Sequence, residues 1–473
     1  MLSAENILLP IVSRINECLS NYILVFLLLG VGIWYSVRTN FVQIRCFGEG
    51  IKRTFGNFHL FGKKHEHKMT SFQALATAVA AQVGTGNIVG ASGAILIGGP
   101  GTIFWMWLIA FFGMATIYAE ATLAIKTRIT DREGAIKGGP VYYIKSAFNG
   151  ITGKILANCF AVAIILALGC MGCMVQSNSI SYTMQTAFGI QPWIIGIILV
   201  SFCSLIFIGG VRRLAAVTEK IVPIMALLFI IGCIVILIAR INYIPETFKM
   251  IFYYAFHPQS ILGGTFGYGI KAAISQGAKR GLFSNEAGMG STPHAHALAH
   301  VKNPHEQGTV AMVGVFIDTF IILTLNALVI ISTLYAGNGP LSGGYKGEIV
   351  NVLNNTNLVQ VAFGSIFGDK GGSIFVAVCL LFFAFSTILS WNLFGKINAT
   401  YLARNNNPKA TGLIYTIVSL SFIMLGTLIS SNFVWELADM FNNLMVIPNA
   451  LALFALTSTV IAILKNKNEN LID

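Results

Sequence analysis

The stretch SFQALATAVAAQVGTGNIVGASGAILI, residues 71–97, is long enough to cross a membrane and carries no charge. Gly84-Thr85-Gly86-Asn87 nevertheless interrupts it near its middle. In hydrocarbon every backbone N–H and C=O must find a partner, so an unwound stretch survives only where protein or a water-filled cavity surrounds it. Two glycines flanking a threonine, followed by an amide side chain, give up helix propensity at the depth where that costs most. The simplest reading of such freed backbone is a binding site for a small polar or charged ligand.

Composition agrees. Hydrophobic residues make up 55% of the 473 and charged residues only 10%, with a mean hydropathy of +0.74. These values leave the soluble range and point to an all-α polytopic membrane protein with no sizeable soluble domain. The N-terminus, Met1 to Glu5, lacks a basic region before its first apolar stretch, so no cleaved signal peptide is expected. The eight cysteines are scattered. Cys170 and Cys173 form a C-x-x-C, but inside a membrane helix they read as small packing residues.

Windows of about 20 residues place eleven transmembrane spans near 20–38, 71–97, 102–126, 155–187, 192–209, 215–239, 263–290, 308–335, 372–396, 411–430 and 439–464. Assigning each Lys and Arg to its nearest loop puts 24 on one side and 6 on the other. By the positive-inside rule the richer side is cytoplasmic, with the N-terminus outside and the C-terminus inside, in a bacterial-type inner (plasma) membrane. The net charge of +12 is thereby a topological signature. No basic segment carries the interleaved aromatics of a nucleic-acid binder, so no nucleic-acid partner is expected, nor an obligatory protein partner.

Residues 1–40 are read as an extra N-terminal helix and 41–69 as a cytoplasmic interfacial segment, where Phe41, Ile44, Phe47, Ile51 and Phe55 alternate with Arg45, Lys52 and Arg53. Spans 2–6 (70–240) and 7–11 (263–465) form two sets of five that enter the membrane from opposite sides. Residues 241–262 connect them externally, 336–350 form an external loop, and 466–473 are a cytoplasmic tail. Helices 2 and 7, the first of each set, are both expected to be discontinuous, the second at Ser275-Gln276-Gly277. Paired broken helices point to two inverted five-helix repeats with a site at the midplane, although the halves share no visible residue-level identity.

Four runs carry a family resemblance: Ala81-Gln82-Val83-Gly84-Thr85-Gly86-Asn87-Ile88-Val89-Gly90, Phe104-Trp105-Met106-Trp107, Gly138-Gly139-Pro140-Val141-Tyr142-Tyr143, and the specific run from Arg280 to Ser291. Together they resemble the alanine or glycine:cation symporter family over essentially the whole chain. That resemblance implies a leucine-transporter-type fold and sodium-coupled carriage of small neutral amino acids such as alanine and glycine. It implies a transporter and not an enzyme, with no cofactor beyond the coupling ion.

An amino-acid zwitterion brings two charges into a low-dielectric site, and each needs hydrogen bonds. The half-helix opening at Thr85, Gly86 and Asn87 offers unpaired N–H groups and positive dipole, suited to a carboxylate. Carbonyls near Ala80 and Val83 suit a sodium ion. The resemblance implies that Phe383, Ser386 and Thr387 of span 9 complete that ion site, with Thr387 also touching substrate. The plain alternative is that both hydroxyls bond within their own helix. Gln176 is either a substrate ligand or interhelical glue. Ser275, Gln276 and Gly277 are candidates for the ammonium, and Trp391 for the wall of the side-chain pocket.

Spans 2, 4 and 9 contain no Asp, Glu or His in their interiors, which favours sodium over a proton. Glu120, Glu286 and Asp318 lie in other spans, with a structural role (a cap, or a partner for Arg280 or a loop cation) set beside coupling. Lys271 is placed to snorkel outward or to gate. His296 and His300 stand at i, i+4, but nothing supplies an acid between them, so no metal besides sodium is expected. A proton-coupled carrier and an ion channel are the competing functions.

Overall fold

The computed structural model describes residues 2–19, 25–56, 69–130, 136–257, 266–342, 353–403, 407–429 and 431–467. Parts of the expected interfacial segment (57–68), connector (258–262), external loop (343–350) and tail (468–473) lie outside the described residues, as does the Lys271 side chain. Among the described residues the protein is helical except for one two-strand hairpin, Ile129–Thr130 against Ile136–Lys137.

The chain opens with α1 (Leu2–Cys18), α2 (Val25–Arg38) and α3 (Phe47–Phe55). The interrupted stretch then forms α4 (Ser71–Gln82) and α5 (Gly86–Gly98), bent by 43° where they meet. Thr70 starts α4 with a capping box: its side chain accepts the Gln73 N–H, and the Gln73 side chain accepts the Thr70 N–H. After it come α6 (Thr102–Lys126), α7 (Gly150–Phe188), α8 (Pro192–Ile208), α9 (Gly210–Ala239) and α10 (Ile244–Phe256). The remaining main helices are α11 (Phe266–Asn285), α12 (Pro304–Tyr335), α13 (Asn357–Phe367), α14 (Asp369–Leu402), α15 (Pro408–Gly426) and α16 (Ser431–Ala455). Seven of these are long and apolar enough to cross a membrane, and the bent pair α4–α5 makes an eighth.

Helix α1 lies within residues 1–40, read from sequence as one N-terminal helix, α10 lies in the expected connector of 241–262, and α13 lies between the expected loop of 336–350 and the ninth span. Asn16 ties α1 to α16 by donating to the Glu436 carbonyl at 2.7 Å, while Ile11 of α1 and Phe252 of α10 stay exposed. Long spans are also widened locally. Gly86–Gly90, Ile165–Gly172 and Phe316–Leu323 run as π-helical turns, which shift the carbonyl register and often mark functional sites.

The second discontinuity differs from the expected one. Ser275-Gln276-Gly277 lies inside α11, which is continuous from Phe266 to Asn285. The helix instead ends after Asn285, where Glu286, Gly288 and Gly290 all take positive φ (57°, 87° and 78°). A short helix, Pro293–Ala297, resumes beyond. Gly277 has a packing cause: a Cβ there would stand 2.7 Å from the Trp105 Cβ and 3.0 Å from the Thr102 carbonyl. Its missing side chain lets α11 press against the start of α6.

Gly277→Ala is therefore expected to destabilise the protein by about 1–3 kcal/mol through overpacking. A melting curve in detergent would show it as a lowered midpoint. An unchanged midpoint would mean that the α6–α11 contact yields freely.

Candidate functional site

At the first break the freed backbone is taken up by amide side chains. The Gly84 N–H donates to Asn87 Oδ1 at 3.1 Å and the Thr85 N–H to Gln176 Oε1 of α7 at 3.2 Å. Asn326 of α12 donates to the carbonyls of Asn87 and Ile88 at 2.8 and 3.3 Å, the latter shared with the Ser92 hydroxyl. Gln82, closing α4, donates to the carbonyl of Asn285, closing α11, at 2.9 Å. One hydrogen bond thus ties the two discontinuities together. Gly86 packs on the same place, where its Cβ would lie 3.0 Å from Ser284 Cα.

The expected ion ligands partly converge. Thr387 Oγ1 of α14 lies 2.7 Å from the Ala80 carbonyl and 3.0 Å from the Phe383 carbonyl. One turn on, Ser390 donates to the Thr77 carbonyl at 2.9 Å. Ser386 instead turns to the Phe383 carbonyl of its own helix at 2.9 Å and to Met225, the plain alternative open to it in the sequence. Val83 is buried at the bend, with ψ of 86°. Gly84 is required by proximity, since a Cβ there would meet Thr387 Oγ1 at 2.5 Å and Gln176 Oε1 at 3.3 Å.

Two polar atoms at the break are buried without a hydrogen-bond partner among the described residues: Thr85 Oγ1 and Gln176 Nε2. Gln176 thus faces the break, whereas Asn178 binds the Gly426 and Ile429 carbonyls and acts as interhelical glue. Of the ammonium candidates, Ser275 and Gly277 are embedded in α11, as is Gln276, whose Oε1 is buried and unpaired among the described residues. They sit about 13 Å along the helix from the end of α11. Phe283 and Ser284 occupy the place beside Gly86 instead.

The three acids outside the expected walls are all central. Asp318 of α12 accepts from Asn87 Nδ2 at 2.7 Å, from Ser284 Oγ at 3.0 Å and from Thr319 Oγ1 at 2.9 Å. A fully buried carboxyl therefore touches the break itself, from a span that does not border it in sequence. The signal was available only in the α12 pattern: past Glu306 in its first turn, Asp318 stands alone in an apolar stretch, and such an acid is a functional hypothesis by default. Glu120 of α6 caps the second break, accepting the N–H groups of Gly288 (3.0 Å) and Gly290 (2.9 Å) and the Asn449 amide (2.6 Å). Glu286 accepts from the Ser291 hydroxyl and from the Trp391 indole at 2.6 Å. None of the three pairs with Arg280. That cation and Lys279 meet Asp439 of α16 at 3.2 and 2.8 Å, and Arg280 also covers the Trp435 ring. A small crevice lined by Leu282, Phe283 and Asn442 opens beside them, between α11 and α16.

Trp391 is fully buried between the second break and the α7 π turn. A Cβ on Gly172 would come within 2.6 Å of its ring, and Phe283 meets it edge-on at 5.8 Å between centroids. The histidines are separate: His294 bridges the Ser291 carbonyl and Asn398, His296 meets Gln307, and the His300 N–H donates to the Met69 carbonyl. Cys170 and Cys173 are buried free thiols.

Long apolar helices around two hydrogen-bonded discontinuities define a multi-pass membrane transporter. The chain belongs to the sodium:alanine symporter family, whose sequence model matches residues 5–471; it is a sodium-coupled amino-acid symporter and not an enzyme. The sodium/alanine symporter AgcS of Methanococcus maripaludis is 37% identical over 97% of both chains. A putative sodium/proton-dependent alanine carrier protein, YrbD, of Bacillus subtilis is 36% identical over 96% of this chain and 91% of its own. The solved structure of MhsT in complex with L-phenylalanine superposes with a TM-score of 0.55, covering 85% of this chain and 98% of that one at 14% identity. The leucine-transporter-type fold implied by the sequence motifs is thus the observed one.

Gly84→Ala should push Thr387 and Gln176 off the break. The overpacking is expected to cost about 1–3 kcal/mol of stability. A melting curve in detergent measures it as a lowered midpoint; a wild-type midpoint would show that the close approach is dispensable.

Proposed function

We propose that the protein imports small neutral amino acids, alanine and glycine, with sodium by alternating access, and that both solutes bind at the Gly84–Asn87 break. The observation that carries this reading is the pair of buried, unpartnered atoms Thr85 Oγ1 and Gln176 Nε2. An acceptor-and-donor hydroxyl beside an amide donor is what a zwitterion's carboxylate and ammonium can satisfy, and unpaired buried polar groups are otherwise costly. The carboxylate lies against the N–H groups opening at Thr85, Gly86 and Asn87, taking over at Thr85 the donor that Gln176 Oε1 holds in this structure. Gln176 orients it, and the end of α11 at Phe283–Ser284 replaces Ser275–Gly277 as the facing surface. Trp391, fixed between Gly172 and Phe283, limits the side-chain pocket to small substrates. Sodium takes the oxygens of Ala80, Val83, Phe383 and Thr387, with the adjacent Ser386 turned to the Phe383 carbonyl.

This reading sits on eleven crossings, the eight above together with α2, α8 and α11, in the order expected from the charge bias. The N-terminus is outside, the C-terminus is inside, and the membrane is the bacterial inner one. Residues 70–240 and 263–465 act as inverted repeats behind the extra helix of 1–40 and the interfacial segment of 41–69, joined by 241–262 and followed by the tail of 466–473. Rocking of one repeat-derived bundle against the other opens the break alternately to each side.

One observation supports a second reading. The Asp318 carboxyl, 2.7 Å from the Asn87 amide, is a titratable group on the break and fits proton coupling. In proteoliposomes, an inward sodium gradient is expected to drive labelled alanine and glycine uptake. Thr387→Ala should raise the sodium concentration for half-maximal uptake by about tenfold, a loss of about 1.4 kcal/mol. Uptake driven by a pH gradient without sodium, and lost in Asp318→Asn, would replace sodium by a proton. Currents far above carrier rates would indicate a channel.

A further inference from the structure

Away from the break, a second set of chemically reactive side chains meets where α3 crosses the start of α12. Cys46 stands at the corner between the short helix Val42–Arg45 and α3, with φ −106° and ψ 5°. Glu49 follows it by three residues, which places both on one face of the turn. Facing them is His305, the second residue of α12. Its backbone N–H is held by the Asn303 side chain at 2.8 Å and its Nδ1 by the Tyr118 hydroxyl at 2.7 Å. The approach depends on Gly50, where a Cβ would lie 2.5 Å from the Thr309 carbonyl of α12.

We propose that Cys46, Glu49 and His305 form a binding site for a zinc-class divalent cation. Their ligand atoms (Sγ, a carboxylate oxygen and a ring nitrogen) all lie within 4.8 Å of one another. Tetrahedral zinc with bonds of about 2.0–2.3 Å needs ligand separations of about 3.3–3.8 Å, so about 1 Å of side-chain adjustment closes the set. The two carboxylate oxygens of Glu49 already have separate tasks. Oε1 takes the Arg53 guanidinium at 3.0 Å, and Oε2 points at His305 Nε2 at 3.3 Å. That is the arrangement of a ligating oxygen steadied by its sibling, while Tyr118 orients the imidazole from behind as outer-shell partners of metal-bound histidines do. Lys467, 3.6 Å from the same Oε2 and 43% exposed, is the cation that a metal would displace into solvent.

The donor set selects the ion. A thiolate and an imidazole with one carboxylate suit zinc and exclude an oxygen-seeking ion such as calcium or magnesium. Binding would release the Cys46 thiol proton to solvent. Three protein ligands leave a fourth position for water, the pattern of an open site and not of a closed structural one. A bound ion would clamp α3 to α12, the helix that carries Asp318 and Asn326 to the break. The ion therefore acts on transport from a distance.

Purified full-length protein titrated with Co²⁺, used as the spectroscopic stand-in for Zn²⁺, tests this. The expected result is one Co²⁺ per chain with a thiolate-to-metal band in the near ultraviolet, reversed by Zn²⁺. The band should vanish in Cys46→Ser. Affinity should fall at least about tenfold in Glu49→Gln, whose partly exposed side chain leaves folding intact, and about 10- to 100-fold in Tyr118→Phe. A wild-type spectrum without a thiolate band overturns the proposal. So does a band that persists in Cys46→Ser, which would move it to the exposed Cys18 or Cys159, or an affinity unchanged in Glu49→Gln.

Discussion

Unpaired backbone is intolerable at membrane depth, and this constraint shapes the protein more than any single contact. Two helices are interrupted, one at Gly84–Asn87 and one after Asn285, and several of the freed groups near them are met by side chains that donate or accept. Gln82, Asn87, Gln176, Asn326 and Asn449 do most of this, all buried and all amides. An amide offers both polarities without charge, so it can replace a lost helix bond without the desolvation penalty of an ion. The carboxyl of Glu120 is used only where two N–H groups, at Gly288 and Gly290, converge on one place.

Small residues supply the second requirement, proximity. Gly84, Gly86 and Gly172 each leave room that a neighbour fills, with Thr387, Ser284 and Trp391 as the respective occupants. Membrane helices associate without a hydrophobic drive, so close packing and interhelical hydrogen bonds must do that work. The Thr387–Ala80 and Ser390–Thr77 contacts are possible because α4 and α14 come so near. Packing and site geometry are therefore one feature at this position.

The first break was legible because its signal is local: glycines, a hydroxyl and an amide within four residues of an uncharged span. The second was misplaced because glycine has two uses. Gly277 serves packing within a continuous helix, while Gly288 and Gly290 serve positive φ, and a sequence does not show which use applies. Asp318 escaped the expected walls because span order says nothing about which face of α12 turns toward Asn87. The Trp391–Glu286 bond joins residues 105 positions apart, a tertiary fact with no local trace. Helices α10 and α13 were hidden for another reason. Each is too short to register as a crossing, and apolar loops and short helices look alike in composition.

The Glu120 cap also bears on how the chain is made. Its donors, Gly288, Gly290 and Asn449, lie 168, 170 and 329 residues further on. An acid inside a membrane helix costs up to about 2.5–3.5 kcal/mol to insert, the upper figure holding at the helix centre. Helix α6 must carry that penalty through most of synthesis, until the ribosome has delivered α11 and then α16. The helix is strongly apolar elsewhere, which lets it wait in the membrane. Assembly of this protein is thus governed by a late arrival, and a chain truncated before Asn449 would retain every element of the first break yet leave an early helix incompletely partnered.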